Sequence, residues 1–163
     1  MLSNFIQASN VTGTSTRIVF QASTTKAFLK SEFVLQDLEV NFPENFVALI
    51  KSGANLFIYY SANGPRLGFI AKIEDEAKLK TLMAEWESTL AKDLSLVTKL
   101  LNRSINPVTF VAVFKQNTVK NIEFRYLDSL VADMGICYGF VKDYFILTTS
   151  GENMISLINV LNQ

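Results

Sequence analysis

The chain has no histidine. Its 163 residues include one cysteine, three prolines and seven glycines, and 15 basic residues balance 15 acidic ones. Each scarcity removes a class of chemistry. Without histidine there is no Ser-His-Asp or Cys-His arrangement, and the commonest general base and metal ligand are missing. A lone thiol, Cys137, makes neither an intramolecular disulfide nor a two-thiol zinc or redox motif. Inside Gly-Ile-Cys-Tyr-Gly it reads as a small buried apolar group. The glycines are scattered, so no Gly-rich phosphate loop precedes a helix. Neither a Gly-x-Ser-x-Gly elbow nor a supported Ser-x-x-Lys signature appears. A net charge of zero provides no field to gather phosphates, which argues against a nucleic-acid partner. No apolar run approaches the roughly 20 residues of a membrane span, and the first residues lack a charged lead followed by an apolar stretch.

What is present is apolar: 49% of the residues are hydrophobic, 12% are aromatic and only 18% are charged. That balance excludes disorder for the bulk of the chain, and the length fits one domain. Residues 1–16 are small, polar and aperiodic and read as a flexible lead, leaving 17–163 as a single domain. Residues 17–20 suit a short strand, and Ser23 or Thr24 caps a helix expected to run to Phe33. Pro43 opens a short helix carrying Phe46, Val47 and Ile50, stopped by Gly53. Residues 56–60 and 67–71 form a hairpin. Pro65 has no amide to close a two-residue Asn63-Gly64 turn, so a loop of four residues, 62–65, or longer is expected.

Glu74, Asp75 and Glu76 place negative charge at a helix start. An apolar stripe follows through Leu79, Met83, Trp86, Leu90, Leu94, Val97 and Leu101. Unbroken to Leu101, this helix would be about 42 Å long; a bend near Ser95 is the alternative. Pro107 ends the helical region. Residues 110–114 and 119–127 look extended, the latter with Ile122, Phe124 and Tyr126 on one face and Glu123 and Arg125 on the other. A second hairpin joins 134–141 to 144–149 at Lys142-Asp143, setting Phe140 opposite Phe145 and Tyr138 opposite Leu147. Gly139 marks a bulge or a close approach. Thr149 and Glu152 form a capping box for a last helix whose inner face is Ile155, Ile158 and Leu161.

Two hairpins, each feeding a helix, predict an α+β fold: an antiparallel sheet built from two ββα-like units, with helices packed mainly on one face. Both hairpins carry apolar residues on both faces, so the sheet should be covered on both sides, by the domain itself or by a partner.

The acids at 74–76 are explained by the helix start and by pairs Glu74–Lys78 and Glu76–Lys80. Glu85 and Glu87 point to different parts of their helix and make no acid–base pair. Asp128 and Asp133 bracket a turn and read as solvated loop acids. Trp86 is a core anchor whose indole N–H needs a partner. The adjacent Tyr59 and Tyr60 must face opposite sides of their strand. With Arg66 and Arg125 they are the candidate interaction residues, because Tyr and Arg are favoured at binding hot spots; a plain sheet face is the alternative. No catalytic residue, metal ligand or cofactor is assigned.

Three stretches carry a resemblance: 83–87 (Met-Ala-Glu-Trp-Glu) running to Asp93-Leu94; Phe114-Lys115 through 119–121 to Arg125-Tyr126-Leu127; and 138–140 through 145–149. In this order, over about residues 43–160, the chain is similar to an uncharacterised domain family in membrane-anchored proteins of candidate-phyla bacteria. The resemblance implies an extracytoplasmic domain tethered by an upstream transmembrane helix, without an assigned activity. This chain departs from that pattern in having no such helix. Taken together, the expected function is a non-catalytic interaction or scaffold domain, with a protein partner or a second copy as its ligand and the membrane reached only through an anchor. A sensor of small apolar ligands is one alternative. A histidine-independent enzyme using carboxylate, Lys or Tyr groups is the other.

Overall fold

The structure is a computed structural model that describes residues 11–19, 30, 35–36, 38–51, 53–102 and 108–163. Seven strands form one antiparallel sheet: β1 Ser15–Ile18, β2 Asn55–Ser61, β3 Gly64–Lys72, β4 Lys115–Val119, β5 Ile122–Asp128, β6 Gly135–Val141 and β7 Tyr144–Thr148. Their order across the sheet is β1-β2-β3-β7-β6-β5-β4, so β3 and β7 join two hairpin systems at the centre. Among the described residues, the helices with defined bounds are α1 Glu76–Trp86, α2 Leu90–Asp93, α3 Ser95–Asn102 and α4 Gly151–Leu161, with a 3-10 turn at Phe46–Leu49. This is the α+β architecture expected. Apart from Lys30, the helix read at 24–33 lies outside the described residues, as do the stop at Pro107 and residues 1–10 of the lead. Its described end is ordered by β2: Gly13 N–H donates to Tyr60 O, and strand β1 already begins at Ser15.

Period-two alternation divides the core. Leu56, Ile58, Phe69, Phe145 and Leu147 point to one face and pack under the 3-10 turn and α1–α3. Phe124, Cys137, Val141 and Ile146 point to the other and pack under Met154 and Ile158 of α4. Helices therefore lie mainly on the first face, while the domain's own closing helix covers the second. The two ββα units sit side by side at the β3–β7 junction, but a two-fold through that antiparallel pair would leave both helices on one face. Instead α1 and α4 take opposite faces, and the units are not symmetry mates.

Aromatic rings fill the first face. Phe42 stacks on Phe46 at 4.7 Å between centroids, and Phe46 meets Trp86 at 5.6 Å and Phe145 edge-on at 5.7 Å. Phe46 is wholly buried, a contribution of about 1.5–3 kcal/mol for such a side chain. The short helix expected here is a 3-10 turn, which suffices to deliver it; Gly53 lies beyond with φ +94°, a left-handed backbone that suits glycine.

Several boundaries differ from expectation for local reasons. The first hairpin turns on Ala62 and Asn63 alone, with Ser61 opposite Gly64 and Tyr60 opposite Pro65. The loop is shorter than expected because Pro65 falls one step past the closing pair, where antiparallel pairing with β2 asks nothing of its amide. The Ser61 hydroxyl fastens the turn, accepting from Asn63 N–H and donating to Gly64 O. The apolar stripe of 79–101 is buried throughout, but the helix carrying it breaks after Trp86, where a continuous helix was expected, and again at Leu94, beside the bend offered near Ser95. The Asp93 carboxylate holds the first break, accepting from the Trp86 indole and the Thr89 hydroxyl, each at 2.8 Å. The run 119–127 is not one strand: Lys120 and Asn121 both have positive φ (49° and 63°) and form a two-residue turn between β4 and β5. Residues 110–114 contribute only a single bridge, Phe110 to Ser129. The last helix is capped by Ser150, whose Oγ accepts from Asn153 N–H. Thr149 is one residue too early and is spent on Leu67, from whose N–H its hydroxyl accepts at 2.9 Å. Accordingly Met154 and Ile158 form the inner face, and Ile155 is exposed.

The closing hairpin follows expectation in register, with Phe140 opposite Phe145 and Tyr138 opposite Leu147. Gly139 is a close approach, since a Cβ there would meet Phe124 Cβ at 3.0 Å.

Candidate functional site

The four residues singled out from sequence do not share a surface. Tyr59 and Tyr60 face opposite sides, as adjacent strand residues must, and both are buried. Burial, together with the negative charges of Glu152 and Asp133, raises the Tyr59 phenol above its ordinary pKa. Arg66 is 1% exposed. Its guanidinium donates to main-chain carbonyls of Asn63, Pro65, Ala132 and Asp133, with the Asp133 carboxylate 3.8 Å away. Burial pulls its pKa down against the favourable pull of Asp133 and Glu152. Arg66 thus pins the 132–133 loop to β3. Arg125 alone reaches an accessible cleft.

Asp133 is the partner that sequence reasoning assigned to solvent. Its side chain accepts from the Ser150 hydroxyl at 2.8 Å and from Glu152 N–H at 3.3 Å. A carboxylate therefore already sits at the N-terminus of α4, where the helix dipole and free amides favour negative charge. One cleft opens beside this lock. It has a volume of about 530 Å³ and lies between β4–β5, the 128–135 loop and α4, with Tyr126, Leu130, Asp133, Gly151 and Ile155 among its walls. Cys137 lies at its floor, buried, and burial pushes its thiol up to about 12.

The second cleft, about 400 Å³, lies on the opposite face of the same strands, lined by Lys80, Gln116, Glu123, Arg125, Tyr138 and Phe140. At its base Arg125 grips Glu87 with two bonds, Nε to Oε1 at 2.8 Å and Nη2 to Oε2 at 2.9 Å. The Tyr138 hydroxyl donates to the same Oε1 at 2.6 Å. Burial would raise the Glu87 carboxyl, but the bonds from Arg125 and Tyr138 prevail and lower its pKa. The same bonds raise Arg125, and burial with the Glu87 bond raises Tyr138. All three groups are held in one protonation state and turned toward each other. Lys80 is likewise engaged, 2.6 Å from Glu76 and over the Phe140 ring.

No family model, curated protein or solved structure matches the chain. The site must therefore speak for itself, and its geometry singles out one element. The helices make most of their contacts with β2, β3, β6 and β7; the β4–β5 hairpin tucks Phe124 under α4 and carries β4 outward as a wing with a cleft on either face. Strand β4 is exposed along most of its length. Next to it, Val113 is 68% and Leu130 85% exposed, with Val111 also open to solvent. Main-chain bonds from Val111 to Asp128 and from Leu130 to Thr109 fasten these loops side by side at the foot of the wing. Among the described residues, no group of three acidic or thiol side chains converges as a metal site would, and no helix is long and apolar enough to cross a membrane.

Sequence reasoning missed Glu87, Asp93, Asp133 and Tyr138. For Tyr138 a cue existed, since it lies opposite Arg125 in the β5–β6 register. Reading it would have required pairing two strands that sequence alone did not join.

Proposed function

We propose that the chain is a non-catalytic interaction domain and that its partner, a protein, docks on the β4–β5 wing. The observation that carries this is the state of the polar groups around the two clefts. Arg125 and Tyr138 both donate to Glu87, and Asp133 is spent on Ser150, Glu152 and Arg66. A general acid or base needs a free proton position in reach of a substrate, and these groups spend theirs on holding the fold. Beside them, Val111, Val113 and Leu130 expose apolar surface whose burial against a partner would be favourable. Cross-linking the chain in the cells that produce it tests the proposal, with partner links expected on the wing.

A further inference from the structure

We infer that Asn117 guards the outer edge of β4 against pairing with a second copy of this chain. The inference stands apart from the docking proposal, because it concerns the strand's edge rather than its faces. An edge strand offers a row of unpaired amides and carbonyls, and a chain with an unguarded edge associates through it. The register of β4 says which groups these are. The two-residue turn at Lys120-Asn121 makes Val119 and Ile122 the closing hydrogen-bonded pair. By the alternation of antiparallel pairing, Asn117 and Lys115 then turn their main-chain groups inward to β5, while Thr118 and Gln116 turn theirs outward. One of those two outward amides is already taken: Thr118 N–H donates to the Asn117 side-chain Oδ1 at 2.8 Å. The strand's only charge does not guard the edge, because Lys115 is drawn back across its own sheet to Asp128 at 3.1 Å and over the Tyr126 ring. Asn117 is therefore the side chain that withholds a ladder donor from an incoming strand. On the same face of the strand, Val119 is half-buried, so an apolar residue at 117 would extend an apolar row along the edge.

The test uses Asn117→Val, Asn117→Asp and the double variant Asn117→Val/Gln116→Pro, studied by light scattering and sedimentation over a range of concentrations. Asn117 is exposed and its main-chain groups are untouched, so melting curves serve to confirm that each variant is folded. The wild-type chain and Asn117→Asp, which keeps the acceptor oxygen, should show the same concentration dependence. Asn117→Val should add self-association, its mass rising toward at least twice the 18.3 kDa of one chain. Adding Gln116→Pro should abolish that gain, because proline at 116 removes an outward amide and no bond within the sheet. The inference is overturned if Asn117→Val associates no more than wild type, or if its association survives proline at 116.

Discussion

Replacing Glu87 with Gln isolates the charge that joins α1 to the sheet. In the wild-type chain its carboxylate receives two bonds from Arg125 and one from Tyr138. Hydrogen bonds to a charged group contribute about 1.5–3 kcal/mol each when buried. Here the Arg125 side chain is 35% exposed and that of Glu87 19%, so water already screens part of the pair. A net loss of about 2 kcal/mol for the variant follows from that discount. For a chain of this size each kcal/mol moves the melting temperature by about 2–4 °C, so Glu87→Gln should melt about 4–8 °C below wild type at pH 7. The pH dependence identifies the cause. The pKa of Glu87 is lower in the folded chain than in the unfolded one. Its stabilisation is therefore complete above the unfolded carboxyl value of about 4.3 and fades as pH falls through the lower folded value. Melting curves of both proteins, followed by circular dichroism from pH 7 down to pH 3, should converge at the acid end. A gap that stays constant with pH, or one below 1 °C at pH 7, would refute the reasoning, because it would mean that the ion pair contributes nothing through its charge.

Two further outcomes follow from close packing and burial. A Cβ added at Gly68 would lie 2.1 Å from Phe57 Cζ, so Gly68→Ala should cost about 1–3 kcal/mol in urea unfolding. The same change should be nearly neutral on a Phe57→Ala background, and equal costs in the two backgrounds would contradict the contact. Burial and a thiol pushed up to about 12 should keep Cys137 unreactive. A disulfide-exchange reagent at pH 8 should therefore label it only as fast as the chain opens, whereas labelling at the rate of a free thiol would show that the floor of the first cleft is accessible.

Legibility in the sequence depended on how local each cause was. The closing hairpin was readable down to its cross-strand pairs because alternation and a two-residue turn at Lys142-Asp143 are both short-range signals. The β4–β5 hairpin was hidden because its turn, Lys120-Asn121, falls inside a run, 119–127, that looks continuous. The stripe from Leu79 to Leu101 correctly identified which side chains are buried. It could not reveal the first break, which is held by Asp93 reaching back to Trp86. Glu87 was invisible for a different reason: its partners Arg125 and Tyr138 lie 38 and 51 residues away, and only the sheet brings them together. The candidate interaction residues met the same limit. Tyr59 and Arg66 sit opposite each other on β2 and β3 but are covered, and no feature of their own segments distinguishes a buried guanidinium satisfied by carbonyls from an exposed one.

The docking proposal is tested most directly by mapping where the chain touches its surroundings in the producing cells, using a lysine-reactive cross-linker and peptide identification. Lys115 and Lys120 flank β4 on the wing, and Lys80 forms a wall of the cleft beside it. Links from these three to another protein are the predicted result, with few from Lys51, Lys78 and Lys92. Partner links concentrated on Lys51, Lys78 and Lys92, with the wing lysines free, would contradict it.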